Sequence, residues 1–132
     1  MDPKRLQSVP LFEGLSRKTL ERLSRDMDEV DLPEGKVLAQ QGRFAYEFFI
    51  IEEGTAGVTR EGQRVGELGP GDFFGEIGLL EGDRRTATVT TTSPMRAIVM
   101  TGRDFRSMEQ EQPEVGRQIR AKMEERLTDR EG

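Results

Sequence analysis

The 132-residue chain contains no cysteine and no histidine. The first absence excludes disulfides, thiolate-held iron–sulfur clusters and a thiol nucleophile. The second removes the commonest general base and the ligand on which most zinc and haem sites depend. Together they argue against an enzyme, including a small metal-dependent β-barrel dioxygenase, whose metal needs imidazole ligands. Long apolar runs are missing as well. The longest strongly apolar stretch, residues 48–51, is far too short to cross a bilayer. Residues 1–5 lack the apolar stretch of a signal peptide, so a soluble cytoplasmic protein is expected. Lysine and arginine number 20 against 25 acidic residues, for a net charge of -5, and no basic stripe of the kind nucleic-acid binders carry is visible. An anionic ligand would therefore be held by local geometry and not by the global field.

What is present fits one domain of common size. Hydrophobic residues make up only 33% of the chain, which implies a lean core, but they cluster into short runs bounded by turn signals and do not suggest disorder. Residues 1–28 read as helical. Val9, Leu11 and Phe12 form a short apolar turn, and Ser16 suits an N-cap before Leu20, Leu23 and Met27, whose spacing gives one apolar face. Residues 29–100 read as short strands, at 37–40, 46–53, 58–60, 64–68, 86–92 and 96–100, after an alternating stretch at Val30 and Leu32. Glu61, Gly62 and Gln63 look like a hairpin connection, and residues 69–72 a strong turn. Residues 101–128 return to a helical period. Thr101 and Asp104 suggest a capping box, and Pro113 opens a helix on which Val115, Ile119, Met123 and Leu127 recur every four residues. The fold class expected is mainly β with flanking helices: a double-stranded β-helix, or jelly-roll-like β-roll.

The densest chemistry lies in residues 74–89, FGEIGLLEGDRRTATV. Gly75 has no Cβ, so a ligand or a backbone can sit against it. Glu76 can accept hydrogen bonds from sugar hydroxyls. Arg85 offers a planar cationic fork suited to a phosphate. If residues 75–80 form a helical turn after a strand, their first amides and the helix dipole favour an anion at the same place. Leu79 and Leu80 would then anchor the turn in the core. Each residue alone has a duller explanation: a Gly–Glu pair in a turn, or Arg84 and Arg85 in a surface ion cluster with Glu81 and Asp83. In this order and spacing they describe a site for a ribose and one phosphate.

The segment resembles the phosphate-binding cassette of the cyclic nucleotide-binding domain family, and the resemblance extends over roughly residues 9–127. It implies a single such domain over 1–132. It implies Glu76 on the ribose 2′-hydroxyl and Arg85 on the cyclic phosphate, with amides around Gly75, Ile77, Gly78, Thr86 and Ala87 completing the cradle. Val58 and Leu68 would flank the base. Arg84 stands where many members have proline, which leaves the phosphate arginine in place. Arg126, or Arg130 a turn later, would close over the base from the last helix, with Met123 and Leu127 as apolar cover. Thr86 fits a cGMP contact, but threonine also occurs in cAMP sites, and cAMP is expected over cGMP.

The resemblance implies a regulatory sensor with a C-terminal helix lid, no cofactor beyond that ligand, and an effector protein or self-association as its output. One alternative is a β-roll that serves dimerisation or docking without nucleotide. Another is the sensor portion of a catabolite-activator-type regulator lacking its DNA-binding domain. Too few residues follow Leu127 for a recognition helix, so direct contact with nucleic acid is not expected.

Overall fold

A computed structural model of the chain describes residues 1–25, 27–42, 47–75 and 87–121. Two 3₁₀ turns, Pro3–Ser8 and Pro10–Phe12, each begin with a proline whose fixed φ suits a first helical position. They lead into helix α1, Arg17–Ser24. Ser16 is its N-cap, with Oγ accepting from the Thr19 amide at 3.2 Å, as the sequence suggests. Leu20 and Leu23 are buried from α1; Met27 is buried too, but beyond the helix end. The helical segment thus stops short of residue 28, because Asp28 already pairs with Val99 in the first strand.

Among the described residues eight antiparallel strands follow: β1 Asp28–Leu32, β2 Val37–Ala39, β3 Glu47–Glu53, β4 Ala56–Arg60, β5 Gln63–Leu68, β6 Phe73–Phe74, β7 Thr88–Thr91 and β8 Met95–Thr101. They form two four-stranded sheets, ordered β1-β8-β3-β6 and β2-β7-β4-β5. The roll is mainly β with flanking helices, as expected. Several ends differ from the sequence expectation. The stretch 86–92 contributes only Thr88–Thr91 as strand, and the last strand runs to Thr101, which pairs with Glu47. Gln63 belongs to β5 opposite Arg60, leaving a two-residue turn in which Glu61 and Gly62 both have positive φ, 53° and 77°. That is the backbone twist a tight hairpin needs.

The period-2 alternation of β3 and β8 divides the core into two layers. Phe48 and Ile50, with Ile98 and Met100, face the helices and pack on Leu6, Phe12, Leu23 and Phe105. Phe49, Ile51, Ala97 and Val99 face the second sheet and pack on Ala56, Leu68, Phe74 and Val89. Burial on both faces explains the unbroken apolar run at residues 48–51. Thr91 ties the β1–β2 turn to this core. Its buried hydroxyl donates to the Pro33 carbonyl at 2.7 Å and accepts from the Lys36 amide at 2.8 Å.

After β8, Thr101 caps helix α2, Gly102–Glu111, its Oγ1 accepting from the Asp104 amide at 3.1 Å. Helix α3 starts at Pro113 and is described through residue 121. Ile119 is buried, and Val115 packs at the edge of the same cluster. Met123 and Leu127, the rest of the expected stripe, lie outside the described residues.

Candidate functional site

Residues 76–86 are flanked by two anchors, one on each sheet. On the approach, the turn at residues 69–72 carries the chain from β5 in one sheet to β6 in the other. The Asp72 carboxylate accepts from the Gly69 amide at 2.8 Å and fixes that turn. Ile51 then exchanges backbone hydrogen bonds with it, donating to the Asp72 carbonyl at 2.9 Å and accepting from the Gly71 amide at 2.8 Å. Phe73 pairs with Ile50 and Phe74 with Phe49, which pins β6 to the sheet edge. Gly75 follows with φ of +94°, a conformation that side chains with a Cβ rarely adopt. The sequence suggests a glycine here for close approach; the backbone supplies a second reason.

On the return, Ala87 leads directly into β7, in the interior of the other sheet between β2 and β4. Thr88 pairs with Thr59, and Val89 with Val58. Residues 76–86 therefore connect the edge of one sheet to the middle of the other. Glu76, Ile77, Gly78, Arg85 and Thr86 lie in that connection, outside the described residues; Arg126 and Arg130, in the stretch 122–132, are outside them too.

Of the expected site residues, Gly75 and Ala87 stand at the two anchors, and Val58 and Leu68 line one face. Leu68 pairs with Ala56, and Val58 lies two residues further along β4, so both point between the sheets. Their surroundings differ. Ala56 and Leu68 are buried, whereas Val58 is half-buried against the same cluster. Opposite Val58 sits Gly66, and among the described residues a Cβ built there would meet nothing within 4 Å. Among the described residues, the inner face of this sheet is thus closed at the Ala56–Leu68 pair and open at the Val58–Gly66 pair. Gly66 is not among the residues the motif points to. Its signal in the sequence is a glycine inside an otherwise regular strand, which marks a close approach by another group. The side chains on this face are apolar. Nearby, Gln41 holds the strand ends in register: its side-chain amide donates to Glu61 at 2.6 Å and accepts from the Glu61 amide at 2.9 Å.

No group of three or more metal-ligating side chains is clustered among the described residues. Nor is any described helix long and apolar enough to cross a membrane.

Residues 29–112 match the family described as the cyclic nucleotide-binding domain, and the chain belongs to that family. A cyclic nucleotide-gated potassium channel of Rhizobium etli is 34% identical over 113 residues, covering 86% of this chain and 32% of that protein. A cAMP-dependent protein kinase regulatory subunit of Mycosarcoma maydis is 39% identical over 111 residues, covering 77% of this chain and 21% of that one. This chain therefore spans a third or less of these relatives. Among solved structures, the Thermus thermophilus catabolite activator protein superposes with a TM-score of 0.81 at 24% identity, over 92% of this chain and 60% of that one. The likeness to that structure is one of fold.

Proposed function

We propose that this chain binds a cyclic nucleotide, cAMP in preference to cGMP, and acts as a regulatory sensor. Residues 74–89 form the cassette: Arg85 takes the phosphate, Glu76 the ribose 2′-hydroxyl, and amides around Gly75, Ile77, Gly78, Thr86 and Ala87 surround the phosphate. The base lies toward the apolar face of Val58 and Leu68, and the last helix, with Arg126, closes over it. The observation that carries this reading is the pair of anchors, Gly75 at one sheet's edge and Ala87 inside the other. They bracket the segment that holds both Glu76 and Arg85, and the family match spans that segment.

The two groups suit the ligand on charge grounds. A cyclic phosphate diester carries a single negative charge, which one guanidinium neutralises through paired hydrogen bonds. A ligand touching both cassette and lid favours the closed arrangement, and that difference in affinity is what transmits a signal. The preference for cAMP rests on the cAMP-dependent relative and on the general occurrence of that ligand in the family. The test is thermal unfolding with each nucleotide. A ligand at a hundred times its dissociation constant stabilises the folded state by about 2.7 kcal/mol. A larger shift with cAMP than with cGMP is expected. No shift with either would overturn the proposal in favour of a β-roll that docks or dimerises without nucleotide.

A further inference from the structure

The helix-facing side of the first sheet continues beyond its apolar residues into a charged cluster. Past Ile98 and Ile50 come Arg96 on β8, Glu29 and Asp31 on β1, and Glu52 on β3. Glu52 is the extra residue between the pairs Ile51–Ala97 and Glu53–Arg96. A bulge of this kind re-aims a side chain, and here the side chain meets a group that β8 would otherwise keep away. The carboxylates of Glu29 and Glu52 converge from the two strands that flank β8.

Arg5, from the first 3₁₀ turn, lies over them. One of its terminal nitrogens, Nη1, is 3.3 Å from Glu29 Oε2 and 3.3 Å from Glu52 Oε2. Arg96 is committed mainly to Asp31, whose Oδ1 accepts from Nε at 3.0 Å, and it stands 3.8 Å from Glu29. Glu53 adds a further negative charge beside Arg96. The two glutamate side chains are mostly covered, 22% and 13% exposed. Glu29 Oε2 and Glu52 Oε1 are inaccessible to solvent, and neither accepts a hydrogen bond among the described residues, Arg5 Nη1 standing beside Glu29 Oε2 as an ion pair only.

A buried acceptor without a donor is costly, and two like charges this close are more so. One proton resolves both problems: a protonated carboxyl donates to its neighbour, and the pair carries a single charge for Arg5 to balance. We propose that Glu29 and Glu52 share one proton beneath Arg5, and that its exchange with water tightens or loosens the seat of the N-terminal segment on the roll.

Burial first, then the hydrogen bond and negative charge of Glu29, push the Glu52 carboxyl from 4.5 up to about 7, with Arg5 pulling in the opposite direction. Since the folded state holds the proton more tightly than the unfolded chain, its contribution is fully present below about pH 4.5. It is lost as pH rises through about 7. The same proton must leave for the pair to become doubly charged, which strains the contact through Arg5 to the residues next to it, Leu6 among them.

Thermal unfolding of wild type and Glu52→Gln between pH 5 and 8.5 tests this. Glutamine keeps the shape and the neutral charge of the protonated acid. The two proteins are expected to match at the acid end and to diverge above neutrality, with the variant about 5 °C more stable. Glu29→Gln removes the other charge and is expected to shrink the same step, which keeps the test open if one variant folds poorly. Hydrogen exchange at the Val9 amide, which donates to the Leu6 carbonyl, reports on the segment itself. Corrected for intrinsic rate, its protection is expected to fall with rising pH in wild type and to stay level in Glu52→Gln. Parallel unfolding profiles for wild type and both variants, or equal protection of Val9 across this range, would overturn the proposal.

Discussion

The ring of Phe74 stacks on that of Phe49, with centroids 4.9 Å apart and planes within 11°. The two residues are also direct partners across β3 and β6. A two-residue strand would be a weak anchor on its own backbone bonds. Here the ring pair, buried between the sheets, adds area and a defined geometry. On the other side Phe73 meets Phe48 with centroids 5.7 Å apart. The short strand is thereby held on both faces, and Gly75 leaves it from a fixed position and direction. In the proposed site, that is what allows a segment as polar as residues 76–86 to start from a reproducible place.

A tightly enclosed glycine sits at the β3–β4 turn. Gly54 has φ of +98°, and a Cβ there would lie 2.4 Å from the Pro94 carbonyl oxygen. Both the conformation and the space exclude a side chain, and the blocking atom is backbone. Gly54→Ala is expected to destabilise by about 3 kcal/mol or more, from strain plus overpacking. Urea unfolding measures it, and a loss under about 1 kcal/mol would contradict this account of the turn.

Gly66 makes the opposite prediction. With no described residue within 4 Å of a Cβ built there, Gly66→Leu is expected to leave stability within about 1 kcal/mol of wild type, as a strand position gains a side chain that meets little. In the proposed site it projects into the region beside Val58, so cyclic nucleotide affinity is expected to fall at least tenfold, about 1.4 kcal/mol. Paired unfolding and binding measurements separate the two effects. Unchanged affinity in a stable variant would remove this face from the site.

The α2–α3 corner is joined by a fork. Arg120 donates to Glu109 through Nε at 3.0 Å and Nη2 at 2.8 Å, and its guanidinium lies 5.6 Å from the centre of the Phe105 ring. Gly116 permits the close crossing, since a Cβ there would fall 3.0 Å from Glu109 Cγ. Because both charged side chains are about a quarter to a third exposed, the coupling is moderate. A double-mutant cycle with Arg120→Met and Glu109→Gln is expected to give about 1 kcal/mol. A coupling near zero would mean that the corner is held by Phe105, Met108 and Ile119 alone.

Much of this architecture was legible from local chemistry. Ser16 and Thr101 declared the helix starts because a cap needs only a hydroxyl and the next few amides. The double-faced strand at residues 48–51 was visible as an apolar run, although its division between two core layers depends on which partner each face meets. Phe73 and Phe74 were harder, since two residues carry no period, and their strand exists through pairing with β3. Gly75 and Ala87 were named for their neighbours in the motif, and the structure adds where each is anchored. The Glu29–Glu52 pair was not legible at all. It joins residues on strands separated by β8 and depends on a one-residue bulge, which no sequence pattern announces.

The most direct test of the central claim is titration calorimetry of cAMP into wild type and Arg85→Ala. If Arg85 is the phosphate ligand, truncating it leaves a buried anion unpaired and weakens binding by about 2–5 kcal/mol. Glu76→Ala, which removes a sugar contact only, is expected to lose less, about 1–3 kcal/mol. Equal affinities for wild type and Arg85→Ala would contradict the site.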